Sequence, residues 1–191
     1  MVRDFWRGGV YGNALQAAAS NNGDEAVIRL LLDWGADVNA KGGVHSYSLL
    51  AAVWFGQEAA VRLLLDRVSA EGINGNALAV ASKNGHEAVV RLLLDRGVGV
   101  NAQGEGDHHN AMQAASHIVI PLLLHSGVDV NGCGNALEAA CINGHEAAVR
   151  LLLDRGADIK LNGLYGSPLE AATRYGQEGV LRLLREHMKV R

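Results

Sequence analysis

Half of the eight histidines in the chain fall within residues 106–127, GDHHNAMQAASHIVIPLLLHSG. The same stretch contains Pro121, one of only two prolines. Imidazole groups bind zinc and transfer protons near neutral pH, so this cluster raises the hypothesis of a metal centre or a catalytic site. The four residues are His108, His109, His117 and His125.

The spacing of these histidines argues against a metal centre. His108 and His109 are adjacent, whereas His117 and His125 fall near the ends of two successive predicted helices. No pair has the H-x-x-x-H spacing that would place two rings on one helix face. Zinc usually needs three or four convergent ligands. We therefore expect no metal and no cofactor, and a small-molecule pocket remains as an alternative.

The composition restricts the class of protein. A chain of 191 residues, 49% hydrophobic and 19% charged, is long enough for one domain with a substantial core. A net charge of −3 is not the basic surface expected of a protein that binds nucleic acid or an anionic membrane. The N-terminus lacks an apolar signal core, and Cys133 and Cys141 form no metal-like pair. These features predict a cytoplasmic monomer with reduced thiols, with the nucleus as the alternative location.

The chain repeats itself with a period of roughly 30 residues, a length typical of solenoid repeats. The phrase VRLLLDRG or a near copy places an arginine at Arg29, Arg62, Arg91, Arg150 and Arg182, with Pro121 in the corresponding fourth position. A second phrase precedes each copy, as GNALQAA, SYSLLAA, GNALAVA, HNAMQAA, GNALEAA or GSPLEAA. A third phrase follows several copies, as in GADVNA and GVDVNG.

Each repeat has the signals of two helices and a loop. A polar residue suited to an N-cap precedes a short Ala-rich segment at Asn13, Asn76, Asn110, Asn135 and Ser167. A glycine then marks a turn, and an amphipathic segment such as EAVVRLLLD follows it. Another glycine ends that segment before an extended, turn-rich connection. The pattern predicts helix, turn, helix and a projecting finger loop.

The second predicted helix carries an acid, a base and an acid at positions i, i+4 and i+8. Such spacing places all three charges on one face of a helix. Paired carboxylates can act in acid–base catalysis, but here the same stripe recurs in five repeats. We interpret it as a solvated face that supports the helix, and we expect no enzymatic activity. The stripes begin at Glu25, Glu58, Glu87, Glu146 and Glu178.

These phrases resemble the ankyrin repeat, which is about 33 residues long with a T-P-L-H-x-A signature. GSPLEAA corresponds to the signature, NGHEAVVRLLLDRG to the second helix and GADVNA to the finger. The Asn-Ala-Leu form is similar to a variant common in large fungal proteins. The resemblance implies an all-α, curved solenoid with β-turn finger loops, formed by a single domain over residues 11–191 after an N-terminal extension, residues 1–10. Its units span about 11–43, 44–73, 74–105, 106–132, 133–164 and 165–191.

The sequence departs from the family pattern in several places. The second and fourth connections are short, which predicts blunted fingers. The final unit ends in LRLLREHMKVR, whose charges suit a cap exposed to water. The histidine of the signature is absent, so its hydrogen bonds cannot be assumed here. In its place stand Gln16, Leu50, Ala79, Gln113, Glu138 and Glu170.

The resemblance implies a scaffold that binds a partner protein through its concave face and finger loops. In the family, contacts come from the fingers and from the two residues before the glycine that ends the first helix. Trp54 and Phe55 are either anchors for a partner or rings packed on an adjacent unit. Phe5, Trp6 and Trp34 are expected to cover the exposed end of the first unit, and a second binding patch is the alternative. The predicted partner contacts are Trp54, Phe55, Lys83, Asn84, Ile142, Asn143, Arg174 and Tyr175.

The fourth unit supports an alternative function. It has lost four residues between Met112 and Leu122, and the missing piece contains the turn glycine. Pro121 cannot occupy the middle of a helix, so we expect it to begin a truncated second helix. The truncation would leave a notch beside intact neighbours. A small-molecule or catalytic site lined by His108, His109, His117 and His125 is therefore the alternative.

Overall fold

The computed structural model describes residues 12–20, 23–68, 75–102, 110–115, 118–132 and 136–190. In these ranges the chain forms α-helices, two in each predicted unit, and no strand. The pairs, in chain order, are α1 Ala14–Ser20 with α2 Glu25–Asp33, α3 Ser48–Trp54 with α4 Glu58–Leu65, α5 Gly75–Asn84 with α6 Glu87–Asp95, α7 Ala111–Ala114 with α8 Ile120–His125, α9 Ala136–Ile142 with α10 Glu146–Asp154, and α11 Pro168–Arg174 with α12 Glu178–Val190.

The helices stack as two layers. The first helices of successive units contact one another from α1 through to α11, and second helices contact each other in the same order at both ends of the stack. Each first helix also contacts its own second helix. The predicted all-α solenoid of helix-turn-helix units is therefore confirmed. The predicted extension, residues 1–10, and the two connections expected to be blunted fall wholly or partly outside the described ranges.

Small residues make the first helices suitable for close stacking. Ala51, Ala52 and Ala81 are completely buried between neighbouring units. Larger aliphatic side chains fill the space between the two layers, and Leu64 and Leu152 are both inaccessible to solvent. Because each buried leucine side chain contributes about 1.5–3 kcal/mol, this continuous aliphatic core can stabilise the stack without large aromatic residues.

Side-chain caps fix where several helices begin. Asn13 caps α1 by accepting the Gln16 N–H at 2.8 Å. Ser167 and Glu170 form a reciprocal capping box at the start of α11. The prediction for Asn76 is wrong, because α5 begins one residue earlier, at Gly75, and includes Asn76. Asn135 lies outside the described residues.

The turn between the two helices of one unit packs against a side chain of the next unit. Gly56 adopts a φ of 68° at the end of α3. A Cβ atom there would lie 2.6 Å from Nδ1 of His86, so this close approach requires glycine. Nε2 of His86 lies 3.0 Å from the Trp54 carbonyl oxygen. This histidine therefore belongs to the scaffold.

The charged stripe on the second helices is solvated. Arg29 pairs with Glu25 at 2.6 Å, and the exposed fraction of both side chains is at least one half. A second kind of pair crosses between units, as where Arg96 lies 2.9 Å from Asp66. Exposed ion pairs typically contribute about 0–1 kcal/mol, so these charges support the helices without forming a chemical site.

The fourth unit is shortened as predicted. Its first helix, α7, has four residues and its second, α8, has six, whereas α9 and α10 have seven and nine. Pro121 is the second residue of α8, where a helix needs no backbone N–H donor. The second helix is therefore shortened at its N-terminal end, and its aliphatic side chain Leu123 remains fully buried.

The N-terminal end of the stack exposes apolar residues of α2. Val27, Leu30 and Trp34 are 40%, 46% and 72% exposed. Because most of the Trp34 ring lies in solvent, the prediction that this residue covers the first unit is wrong. Phe5 and Trp6, the other two residues of that prediction, lie outside the described residues.

Candidate functional site

The C-terminal ends of the first helices carry the predicted partner contacts. Trp54 ends α3 and Phe55 follows it, and their side chains are 41% and 44% exposed. Rings packed in the interface between units would be buried like Val53, which is inaccessible. Both side chains are therefore partly exposed at the surface, and their contact with a partner stays a prediction.

A finger loop packs a third ring against this pair. Gly42 and Ser46 bridge the base of the finger before α3. The His45 ring lies with its centroid 5.4 Å from that of Trp54 and 5.4 Å from that of Phe55. Partial burial lowers the pKa of His45 below its ordinary value of 6.5, which favours a neutral ring at pH 7. With the exposed Val44 these residues form patch A, defined as Val44, His45, Trp54 and Phe55.

The last unit repeats this arrangement. The Tyr165 ring lies 5.7 Å from that of Tyr175 in an edge-to-face contact. The Arg174 guanidinium lies 5.6 Å from the Tyr165 ring centroid, at a cation–π distance. A hydrogen bond with Tyr165 raises the pKa of the Tyr175 phenol. Leu164, 84% exposed, completes patch B, defined as Leu164, Tyr165, Arg174 and Tyr175.

Two buried polar side chains hold the fingers that supply these rings. The Gln16 amide of α1 donates to the carbonyl oxygens of Ala40 at 3.3 Å and Ser46 at 2.9 Å. The Glu138 carboxylate of α9 accepts the N–H of Leu164 at 3.0 Å. Both residues occupy the signature histidine position. In these two units the chain therefore retains contacts between this position and the following finger, through an amide donor in one and a carboxylate acceptor in the other.

The predicted contacts between the patches are polar or partly buried. Lys83 and Asn84 are exposed at the end of α5, and the Asn84 amide donates to the Trp54 carbonyl at 3.3 Å. Asn143 is exposed after α9, and its amide donates to the Ala139 carbonyl at 2.9 Å. Ile142 is half-buried. The two large-ring patches thus lie in the second and sixth units, with polar ends of first helices between them.

Sequence reasoning missed the finger half of each patch. Val44, His45, Leu164 and Tyr165 carry no motif of their own. One signal was present: His45 precedes Trp54, and Tyr165 precedes Arg174, by the same nine residues. The interval of nine residues indicates a contact only once the structure shows that each finger packs against the helix that follows it.

The alternative pocket of the fourth unit was predicted from four histidines. His108, His109 and His117 lie outside the described residues. His125 is exposed at the end of α8, and its Nδ1 lies 2.6 Å from the Pro121 carbonyl oxygen. In the part of the chain that the structure describes, no three His, Cys, Asp or Glu side chains are grouped so as to hold a metal ion.

Two open grooves lie between second helices. One groove of about 300 Å³ lies between α10 and α12 and is lined by Arg150, Leu153, Asp154, Leu183, Glu186 and His187. A similar groove lies between α2 and α4, along the charged stripe. Neither includes His125. Within the described ranges, no helix combines the length and the apolar character needed to cross a membrane.

Comparisons with known proteins agree with this architecture. The family profile described as "Ankyrin repeats (3 copies)" matches residues 49–132 and 108–191, and the profile "Ankyrin repeat" matches residues 13–43. No curated protein sequence matches the chain significantly.

Several solved structures share the fold over nearly the whole chain. The human ASB11 ankyrin repeat domain is 25% identical with a TM-score of 0.73, over 92% of this chain and 83% of that domain. The ankyrin repeat domain of Bcl-3, a member of the IkappaB family, is 26% identical with a TM-score of 0.73 and the same coverage.

A third structure contains a complex. A chain in the structure of the Bd0816 predatory endopeptidase of Bdellovibrio bacteriovorus with the immunity protein Bd3460 is 25% identical, with a TM-score of 0.72, over 91% of this chain and 97% of that one. The repeated phrases, the stacked helix pairs and the two family profiles lead to one conclusion. This chain belongs to the ankyrin repeat family.

Proposed function

We propose that the protein is a non-catalytic scaffold that binds a partner protein through its first helices and finger loops. The observation that carries this proposal is the pair of exposed aromatic patches, each formed by a finger and the end of a first helix. Tyr, Trp and Arg are the residues most enriched among binding hot spots, and patches A and B contain all three types.

The fold supports the same proposal. A stack of helix pairs presents an extended surface, whereas catalysis usually requires side chains that converge in a cleft. The described grooves are lined by the charged stripe of the second helices, and that stripe already has a structural role. The protein-interaction role is also that of the family, and one similar structure is of a protein complex.

Capture from the source cell, followed by mass spectrometry, would identify a partner. The purified partner would then be tested against the double variant Trp54→Ala, Phe55→Ala. We expect binding to fall by roughly 10- to 100-fold, because truncation of a hot-spot ring commonly costs about 2 kcal/mol or more. We expect the melting temperature to change little, because both side chains are exposed.

Trp34→Ala is the matched control for this experiment. It removes an exposed tryptophan that belongs to neither patch. Binding should survive in Trp34→Ala and be lost in the double variant. Equal binding by both variants, or unfolding of the double variant, would contradict the proposed surface.

The small-molecule function of the fourth unit stays a prediction. Of the four histidines predicted to line its notch, only His125 lies within the described residues, and its side chain is exposed. Zinc titration followed by calorimetry tests the metal form of this hypothesis. The cytoplasmic or nuclear location, the monomeric state and the absence of nucleic-acid binding also stay predictions from composition.

A further inference from the structure

The second helix of the fourth unit does not join its neighbours as the other second helices do. α2 packs against α4, α4 against α6, and α10 against α12. Within the described ranges, α8 has six residues and makes no comparable contact with α6 on one side or with α10 on the other. The layer of second helices is therefore interrupted on both sides of α8.

The ion pairs between units stop at the same place. Arg67 lies 3.6 Å from Asp33, and Arg96 lies 2.9 Å from Asp66, so each arginine contacts the aspartate one unit earlier. The fourth unit has LLLHSG where the third and fifth have LLLDRG, so it offers neither an arginine nor an aspartate at these positions. Asp95 accordingly has no ion pair in the part of the chain that the structure describes.

The arginine of the fifth unit has also lost its carboxylate partner. Arg155 stands at the repeat position of Arg96, but the fourth unit places His125 where an aspartate would meet it. The Arg155 guanidinium donates instead to the Leu124 carbonyl oxygen, at 3.4 Å. Nδ1 of His125 lies 2.6 Å from the carbonyl oxygen of Pro121, within its own helix. Among the described residues, no ion pair between side chains therefore joins α8 to α10.

The first helices and the fingers remain continuous across the fourth unit. α7 packs against both α5 and α9. In the fingers, the Asn101 side chain accepts the Asp129 N–H at 2.8 Å, and the Asn131 side chain accepts the Asp158 N–H at 2.8 Å. The Asn131 amide also donates to the Gly156 carbonyl oxygen at 3.1 Å. The fourth unit is therefore held to both neighbours by its first helix and its finger, and much less by its second helix.

This difference bears on how the stack bends. In a repeat protein each unit contacts only its neighbours, so bending at one junction is resisted only by the contacts of that junction. Where both helix layers pack, a change of curvature separates buried side chains. At the fourth unit the first helices can stay packed while the gap in the layer of second helices widens or narrows. Sliding and rotation of this kind are the usual basis of hinge motion.

We infer that the fourth unit is a hinge that divides the solenoid into two rigid parts, units one to three and units five and six. The two parts rotate about the line of first helices α5, α7 and α9. Patch A belongs to the first part and patch B to the second, so the rotation changes the separation of the two patches. The hinge is a property of the free chain and does not depend on the proposed function.

Distances between spin labels test the hinge in the full chain. Arg29, Arg91 and Arg150 share one exposed repeat position on second helices. Arg91→Cys with Arg150→Cys spans the fourth unit, and Arg29→Cys with Arg91→Cys spans the second unit as the matched control. In an uninterrupted stack each pair spans two helix steps, roughly 16–20 Å. The background is Cys133→Ser, and the completely buried Cys141 stays unlabelled.

Pulsed electron paramagnetic resonance measures the distribution of each distance. We expect the distribution across the fourth unit to be at least about twice as broad as that of the control pair, because only one helix layer restrains it. Equal widths for the two pairs would overturn the hinge.

Two variants that restore the missing contacts complete the test. His125→Asp with Ser126→Arg recreates the aspartate and the arginine of the other units, and it should narrow the distribution in part, since exposed ion pairs are weak. Replacing residues 116–121 by a copy of residues 141–150, with alanine for the cysteine, restores a second helix of full length. This replacement should reduce the width to that of the control pair.

A broad distribution that persists in the folded replacement would contradict the assignment of the hinge to the short α8. Melting curves show whether each variant folds. If the replacement does not fold, the ion-pair variant decides the matter, because a width that it leaves unchanged would equally contradict the role of the missing contacts.

Discussion

The carboxylate of Glu138 accepts the backbone N–H of Leu164, the last residue of the same repeat unit, at 3.0 Å. It also accepts the neighbouring N–H of Tyr165. Glu138 is 5% exposed, so these bonds are shielded from water at the carboxylate. The position of an exposed aromatic patch therefore depends on a buried acid in the preceding repeat.

Removing this acid should loosen patch B. We expect Glu138→Ala to lower the free energy of unfolding by about 1–3 kcal/mol, because two partly buried N–H groups lose a charged acceptor. Gly163→Ala should act in the same direction, since its Cβ would lie 1.7 Å from Oε2 of Glu138. Urea denaturation measures both changes. Gly99→Ala controls for the effect of an added methyl group, because Gly99, like Gly163, has no left-handed φ and its Cβ would lie 3.7 Å from the nearest atom, Cβ of Ala102. If Gly163→Ala is no more destabilising than this control, the contact with Glu138 is not rigid.

Two valines at the same repeat position should respond differently to truncation. Val27 is 40% exposed and Val89 is 1% exposed. We expect Val89→Ala to lower the free energy of unfolding by roughly 2 kcal/mol, because it removes two buried methyl groups and leaves a cavity. Val27→Ala should change it by less than about 0.5 kcal/mol. Equal effects in chemical denaturation would mean that α2 is covered in solution.

The thiol of Cys141 should be inert in the folded protein. Burial, followed by the charge of Glu138, raises the pKa of Cys141 to about 12. The thiolate is the reactive form, and almost none of it exists at pH 8. In a Cys133→Ser background, a disulfide reagent such as dithiobis-nitrobenzoate should label no thiol in buffer and one in denaturant. Rapid labelling of the native protein would contradict the buried environment.

Acidification should weaken the finger of patch A. The ordinary pKa of histidine is 6.5, and burial against Trp54 and Phe55 lowers the pKa of His45 in the folded chain. The unfolded chain therefore takes up the proton first as the pH falls. The stabilising contribution of the neutral ring is complete above about pH 6.5 and declines as the pH approaches the folded pKa. Titration of the His45 ring by NMR should give a midpoint below 6.5, and His45→Phe should remove this part of the pH dependence.

Much of the fold could be predicted because the same local sequence pattern recurs in every repeat. A cap residue, an Ala-rich segment, a glycine and an amphipathic segment predict two helices and a turn, and recurrence in register predicts stacking. The position of Pro121 predicted the truncated α8 because a helix accepts proline only in its first turn. The prediction that Asn76 caps α5 was wrong for a similarly local reason, because the first residue of a helix varies by one or two positions.

The site was only half predictable. The family resemblance identified Trp54, Phe55, Arg174 and Tyr175 at the ends of first helices. It could not identify His45 or Tyr165, since a finger's contacts depend on how the loop folds back onto a later helix. Gln16 and Glu138 likewise show no sign, in sequence alone, that one donates to a finger and the other accepts from one.

The segments EAVIRLLLD and EAVVRLLLD separate what the sequence determines from what only the tertiary structure decides. Their nearly identical periodicity by itself determined that both are amphipathic helices, α2 and α6. Only the tertiary structure decided that Val89 is buried and Val27 is exposed, because α6 has a preceding helix to pack against and α2 stands at the end of the described stack. Local patterns fix the helix, whereas burial is a property of what lies beside it.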